Sequence, residues 1–159
     1  HMTHPPTVRG PDEGKVVALV GDVYRFLATG DETDGRYAML EAIVPPGGGP
    51  PPHIHSREEE SFYVLEGEIT FQVGDERVDA KAGTFANMPV GSLHSFNNNT
   101  DKLARMIVYV APAGLENMFL EVGQPVQLSQ PAPPPSKAEI DKLLAVAPSY
   151  GIEIRLPQH

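Results

Sequence analysis

The stretch His53-Ile54-His55-Ser56-Arg57-Glu58-Glu59-Glu60 carries two histidines one residue apart and, five positions after the second, a carboxylate. In an extended strand, side chains two apart point the same way, so His53 and His55 share a face. Neutral imidazoles and carboxylates are ligands for Zn, Fe, Mn, Ni or Cu. Immediately upstream runs Pro45-Pro46-Gly47-Gly48-Gly49-Pro50-Pro51-Pro52, built only of Pro and Gly. Such a segment is neither a central strand nor a helix, because proline has no amide N–H to give either. It is stiff at the prolines and free at the glycines. It can therefore turn the chain sharply and deliver His53 to a fixed place.

Outward from this stretch the chain reads as short strands closed by tight turns. Downstream, Glu60 to Leu65 is a strand and Glu66-Gly67-Glu68 a turn. Ile69 to Val73 returns with Ile69, Phe71 and Val73 on one face. Arg77 to Lys81, Thr84 to Met88 and Leu93 to Phe96 follow, the last carrying His94. Asn97 to Asp101 is a turn-forming polar run, and Leu103 to Val110 is the strongest strand by composition. Upstream, strands are expected at Lys15 to Val20, Val23 to Thr29 and Arg36 to Val44, with a polar loop over Gly30 to Gly35. Beyond Ala111 the character changes. Leu115, Met118, Phe119 and Val122 fall at helical spacing. Ser136-Lys137-Ala138-Glu139 is a capping box that opens a helix to about Ala147, which Pro148 stops. Its stripe is Ile140, Leu143, Leu144 and Ala147, and Gly151 to Leu156 suits a short edge strand. The pattern predicts an all-β sandwich or barrel of the jelly-roll kind with a short C-terminal helical extension. The expected divisions are a flexible arm at 1–14, a barrel at 15–125, and a strap, helix and tail at 126–159. His1-Met2 reads as the remnant of a cleaved tag.

Bulk composition narrows the function. The 159 residues suit one domain with a full hydrophobic core. Without cysteine there is neither a disulfide framework nor a thiolate metal site, which fits a cytoplasmic protein. A net charge of −9 with no run of Lys or Arg argues against a nucleic-acid or anionic-membrane surface. No apolar stretch approaches the ~20 residues of a membrane span, and no signal-peptide pattern is present.

Taken singly, none of the histidines supports a function, since a lone histidine on an apolar strand is usually structural. Their arrangement does. Gly47 stands six before His53, followed by His55, Glu60 and then Gly67. Further on, Gly83 stands six before Pro89, followed by Gly91, His94 and Asn98. These positions resemble both motifs of the cupin superfamily, G(X)5HXH(X)3,4E(X)6G and G(X)5PXG(X)2H(X)3N, at every fixed position. The resemblance covers about residues 40–110. It implies a small jelly-roll barrel holding one divalent transition metal per chain (Mn, Fe, Ni, Co, Cu or Zn) on His53, His55, Glu60 and His94. The spacing to Gly67 selects Glu60 from three adjacent glutamates. Strand alternation agrees, putting Glu60, Phe62 and Val64 on one face. Glu58 and Glu59 are then read as solvated. Each imidazole is expected to give its other N–H to an acceptor that the sequence does not name.

Parity offers Phe62, Val64, Phe71, Met88 and Phe96, with Ile69, as walls of a substrate pocket above the metal. Tyr24, Phe26, Met39, Met106 and Tyr109 are further candidates, all with plain core packing as the alternative. Within the superfamily the chain resembles single-domain quercetin 2,3-dioxygenase-like proteins, in Phe62-Tyr63-Val64-Leu65-Glu66-Gly67 and in Pro112-Ala113-Gly114-Leu115-Glu116 with a helix behind it. That resemblance implies a dioxygenase acting on a flavonol or similar enolisable aromatic with O2, Glu60 being both ligand and catalytic base. The alternatives are a non-redox metal-dependent isomerase or lyase and a small-molecule-binding cupin without catalysis. A homodimer is expected, with the strand at Lys15 to Val20 crossing to a partner. The C-terminal helix is expected on the barrel exterior or near its mouth.

Overall fold

The computed structural model describes residues 4–156, so the tag remnant read at His1-Met2 and the last residues of the tail lie outside it. The barrel strands are β1 (Val16–Leu19), β2 (Asp22–Ala28), β3 (Ala38–Val44), β4 (His53–His55), β5 (Glu59–Glu66), β6 (Glu68–Val73), β7 (Glu76–Lys81), β8 (Phe85–Met88), β9 (Leu93–Asn97) and β10 (Ala104–Ala111). Helix α1 (Gly30–Thr33) interrupts them. After them come α2 (Leu115–Val122), β11 (Gln124–Pro125), α3 (Lys137–Val146), a 3-10 turn at Ala147–Tyr150 and β12 (Ile152–Ile154).

Two antiparallel sheets form the jelly roll. One runs β11-β1-β2-β3-β10-β5-β8 and the other β12-β4-β9-β6-β7. Alternation decides which side chains enter the space between them. Along β10, Ala104, Met106, Val108 and Val110 are buried and the residues between them are half-buried. Along β5, Glu60, Phe62 and Val64 are buried in the same way. The rings of Phe62, Phe71 and Phe96 pack on one another, Phe62 lying 5.2 Å from Phe71 and 5.7 Å from Phe96 between centroids. Burying each such ring contributes about 1.5–3 kcal/mol, so this cluster sets the floor on which the histidines sit.

The Pro/Gly loop is aimed by a polar hub. Asn98 is fully buried, and its Nδ2 donates to the Val44 carbonyl at 2.9 Å and the Lys102 carbonyl at 2.7 Å. Its Oδ1 accepts from the Thr100 amide and hydroxyl. Its backbone closes the loop, Gly47 donating to the Asn98 carbonyl and Asn98 to the Gly48 carbonyl. Gly49 has φ +127°, and a Cβ there would run into the Phe96 carbonyl oxygen. Only glycine combines that dihedral with that approach.

Several local expectations are corrected. The polar loop after β2 contains α1, whose Thr29 and Glu32 form a capping box. At α3, Ser136 Oγ accepts from the Glu139 amide, but the Glu139 carboxylate reaches the Val20 amide at 3.0 Å instead of closing the box. Met39 and Tyr109 face away from the core. Each sits between two buried neighbours of its strand, and the Tyr109 ring stacks on Tyr37. Strand β1 lies between β2 and β11 in its own sheet. The arm before β1 is tied down: Arg9 donates to the Leu27 carbonyl and both carboxylate oxygens of Glu32.

Candidate metal centre

Strand β4 lies beside β9 with His53 directly opposite His94, and β5 brings Glu60 across from the facing sheet. One ligand atom from each of His53, His55, Glu60 and His94 lies within 4.8 Å of all the others. The four residues are 2–9% exposed. The imidazole centroids stand 4.5 Å apart for His53 and His94 and 4.9 Å for His53 and His55. The spacing-based selection of Glu60 matches this geometry. Glu59 points outward, where Asn87 Nδ2 donates to it at 2.6 Å.

The acceptors for the second ring nitrogens are now identified. His53 Nδ1 lies 2.9 Å from the Pro51 carbonyl and His94 Nδ1 3.1 Å from the Ser92 carbonyl. His55 Nδ1 lies 2.9 Å from Glu58 Oε1. A carbonyl can only accept, so Nδ1 of His53 and His94 carries a proton and Nε2 is the ring atom left to face the cluster. Glu58 therefore corrects the solvated reading: it is 5% exposed and orients His55. Alternation counted back from Glu60 puts Glu58 on the same inward face, a signal that the solvated reading passed over.

Electrostatically the cluster is a set of donors held together by one carboxylate. His94 Nε2 lies 2.8 Å from Glu60 Oε1. His55 Nε2 lies 3.3 Å from the same oxygen yet makes no hydrogen bond there, and it is wholly buried. Burial alone would raise the Glu60 carboxyl, but the close imidazoles of His55 and His94 outweigh it and hold the group well below the usual carboxylate range. Burial depresses His55 too, yet Glu58 and Glu60 together lift it to about 10. His53, with burial dominant and other imidazoles nearby, falls to about 4. A buried imidazole nitrogen without a hydrogen-bond partner, two further ring nitrogens in the same cluster and an ionised carboxylate suit a divalent cation. With N and O donors and no thiolate, the set fits a mixed-donor transition-metal centre better than a closed structural zinc site.

A cavity of about 70 Å³ opens beside His53, His55 and Glu60. Of the expected pocket residues, Phe96 and Tyr24 line it. Phe62, Val64, Phe71, Met88, Ile69, Phe26 and Met106 are buried beneath it as core. The remaining wall comes from Leu115, Met118 and Phe119 of α2, Leu143 of α3, and Ile152 and Ile154 of β12. Their apolar stripes were legible, but the sequence did not say what they cover. A larger open groove of about 770 Å³ near α1 contains none of the four ligands. Its Arg9 is paired with Glu32, and the Glu116 carboxylate there takes the amides of Gly30 and Gly114.

One buried pair adjoins the cavity. Asp22, read from sequence as part of a turn, is 2% exposed, and its Oδ2 lies 3.5 Å from the Tyr24 hydroxyl. Oδ1 has no hydrogen-bond partner. Burial lifts the Asp22 carboxyl to about 7, against the opposing pull of the Gly49 amide and Tyr24. The Tyr24 hydroxyl is itself pushed well above its usual range by burial, with Asp22 and Glu60 adding to the effect.

The fold and the site together define a jelly-roll barrel with an interior three-histidine, one-glutamate group able to hold a metal ion. Residues 40–110 match the family described as Cupin domain. That match spans somewhat less than half of the chain and takes in all four residues of the cluster. The chain is 23% identical to quercetin 2,3-dioxygenase of Bacillus subtilis over 96% of its length, and spans 45% of that protein. It is 32% identical over 71 residues to polyketide synthase CurC of Streptomyces cyaneus, covering 45% of this chain and 46% of that protein. The chain thus spans less than half the length of these two relatives. Among solved structures it is similar to an RmlC-like cupin from Shewanella frigidimarina, with TM-score 0.63, 18% identity, and 73% of this chain against 99% of that one. A protein described as a predicted oxalate decarboxylase from Thermotoga maritima gives TM-score 0.62 at 20% identity, over 67% of this chain and 99% of that one. Among the described residues no helix is long and apolar enough to cross a membrane.

Proposed function

We propose that this protein is a metal-dependent cupin dioxygenase of the quercetinase type, acting on a flavonol or similar enolisable aromatic. The observation that carries the reading is the convergence of His53, His55, Glu60 and His94 on one point at the edge of an apolar cavity. The likeness to a quercetin dioxygenase along nearly the whole chain supports the choice of substrate class.

Those four residues would hold one divalent transition metal per chain. The ion supplies Lewis acidity toward a substrate oxygen and, where it is redox-active, one-electron chemistry with O2. The chain's own residues prepare the site. Pro51, Ser92 and Glu58 fix the three rings so that Nε2 faces inward. Glu60 is held ionised, the state required of a group that accepts the substrate's hydroxyl proton. Phe96, Val108 and the α2 residues keep water from the reacting face. The expectation of a homodimer is retained as part of this proposal.

Anaerobic addition of quercetin to protein loaded in turn with Mn, Fe, Co, Ni and Cu tests the reading. A shift of the flavonol band on binding, and its loss when air is admitted, are expected. Neither a shift nor a loss with any of the five ions refutes it. A non-redox isomerase or lyase, or a binding cupin, is the second reading, favoured by one observation. The 70 Å³ cavity suits a small acid better than a ring system. Turnover of a small oxo-acid without O2 uptake would decide for an isomerase or lyase.

A further inference from the structure

We infer that Leu143, carried by α3, is the plug that sets the size of ligand able to reach the metal centre. The inference builds on the proposed reading of the site as one that takes an aromatic substrate. The cavity holds about 70 Å³. A cavity of about 150 Å³ is what a single benzene ring occupies in a protein interior. With the wall seated as it is, the space beside His53, His55 and Glu60 is about half of what a benzene ring fills. Ligands of a few heavy atoms enter freely, and larger ones enter only when part of the wall lifts.

The parts of the wall are not equally fixed. Strand β12 is bound to the ligand-bearing β4 by a three-residue ladder, Ile152 opposite His55 and Ile154 opposite His53. Helix α2 follows β10 after a short turn and buries Leu115, Met118, Phe119 and Val122. Helix α3 differs from both. Leu143 is its single buried residue, and the proline strap leading into it, Pro131 and Pro133 to Pro135, is exposed. Its polar ties are peripheral: the Glu139 carboxylate to the Val20 amide, and the Tyr150 hydroxyl just beyond it to Glu121 at 2.9 Å. At its far side Gly151, with φ +74°, supplies a turn between the helical end and β12. Its helical turns bury Leu143 alone, Ala147 at its end is the second anchor, and the strap before it is exposed; a segment so lightly held belongs to the lower-stability part of a fold, where local opening costs less. Lifting α3 withdraws Leu143 and leaves the β12–β4 ladder, and so the ligand geometry, intact.

The test uses the Co(II)-loaded protein and two probes, oxalate and 3-hydroxyflavone, read by the cobalt absorption and the flavonol band in stopped flow without O2. In the wild type, the rate of 3-hydroxyflavone binding is expected to level off with concentration, because opening limits it. Leu143→Ala should raise that plateau by roughly tenfold or more, since truncating a buried Leu removes contacts worth more than that factor. Oxalate affinity and the ligand-free cobalt spectrum should stay within about twofold. Leu143→Val, a milder truncation, should act in the same direction by a smaller factor, which guards against misfolding of the alanine variant. Exclusion of 3-hydroxyflavone by the wild type and its admission by Leu143→Ala would support the plug while sinking the aromatic reading of the function. Equal behaviour of wild type and both variants toward both probes would overturn the inference.

Discussion

Replacing Asp22 by Asn isolates the cost of a buried carboxyl. Asp22 is 2% exposed, its one hydrogen bond to a side chain is a long one to Tyr24, and one carboxylate oxygen has no partner. Burial raises its pKa in the folded protein to about 7, against an ordinary value of 3.8. The folded state therefore prefers the neutral form. Stability from this group is complete below the unfolded value and is lost as pH rises through about 7. Between about pH 5 and about pH 8 the two titration curves remove about 2.5 kcal/mol. Asn has the same shape and does not titrate. Urea unfolding of metal-free wild type and Asp22→Asn, followed by circular dichroism at several pH values, reads the effect. The stability of the variant relative to the wild type should grow by about 2.5 kcal/mol from the lower pH to the higher. Contributions from His53 and His55 are common to both proteins and cancel. A difference that does not change with pH, or that shrinks as pH rises, would refute the reasoning.

Glu58→Gln should weaken metal affinity about 10–100-fold by loosening His55, as measured by chelator competition; unchanged affinity would show that the Glu58 contact does not support the site. Adding Zn(II) to metal-free protein near pH 7.5 should release at least about one proton per ion, because His55 is raised to about 10 and must give up its proton to bind. An indicator dye detects this, and binding without release contradicts the assignment. Gly49→Ala should cost roughly 3 kcal/mol or more in urea unfolding, from the strained φ and the clash with the Phe96 carbonyl. An unchanged midpoint would mean the loop relaxes freely.

What was legible in the sequence follows from how far local geometry reaches. His53 and His55 share a face because the period of a strand is two, and the same period placed Glu60 inward with Phe62 and Val64. The turn glycines and Asn98 were legible as spacing, but their work as a hub tying the Pro/Gly loop to the β9–β10 turn emerges only in three dimensions. Alternation counted back from Glu60 already put Glu58 inward, and reading it as solvated together with Glu59 set that signal aside. Alternation also separates two of the expected pocket residues. Met106 and Tyr109 lie three apart on one strand and so cannot both face inward. Helix α1, at four residues, is too short to leave a period. The apolar stripes of α2 and α3 were plain, whereas their meeting over the metal cluster depends on contacts between residues far apart in the chain, which no window of sequence contains.

The pairing of β12 with β4 bears on how the protein comes into being. The strand that carries His53 and His55 has β9 on one side and, on the other, a strand roughly a hundred residues later. Contacts of such long sequence separation form late, because the intervening chain must be ordered before they can reward it. On a ribosome the barrel strands emerge and pair well before β12 is available, so nascent chains hold β4 with an open edge. Protection of that edge is thereby tied to the arrival of β12. A chain stopped short of it would expose the very edge that carries the ligands, and would be marked by misassembly before it failed by lost chemistry.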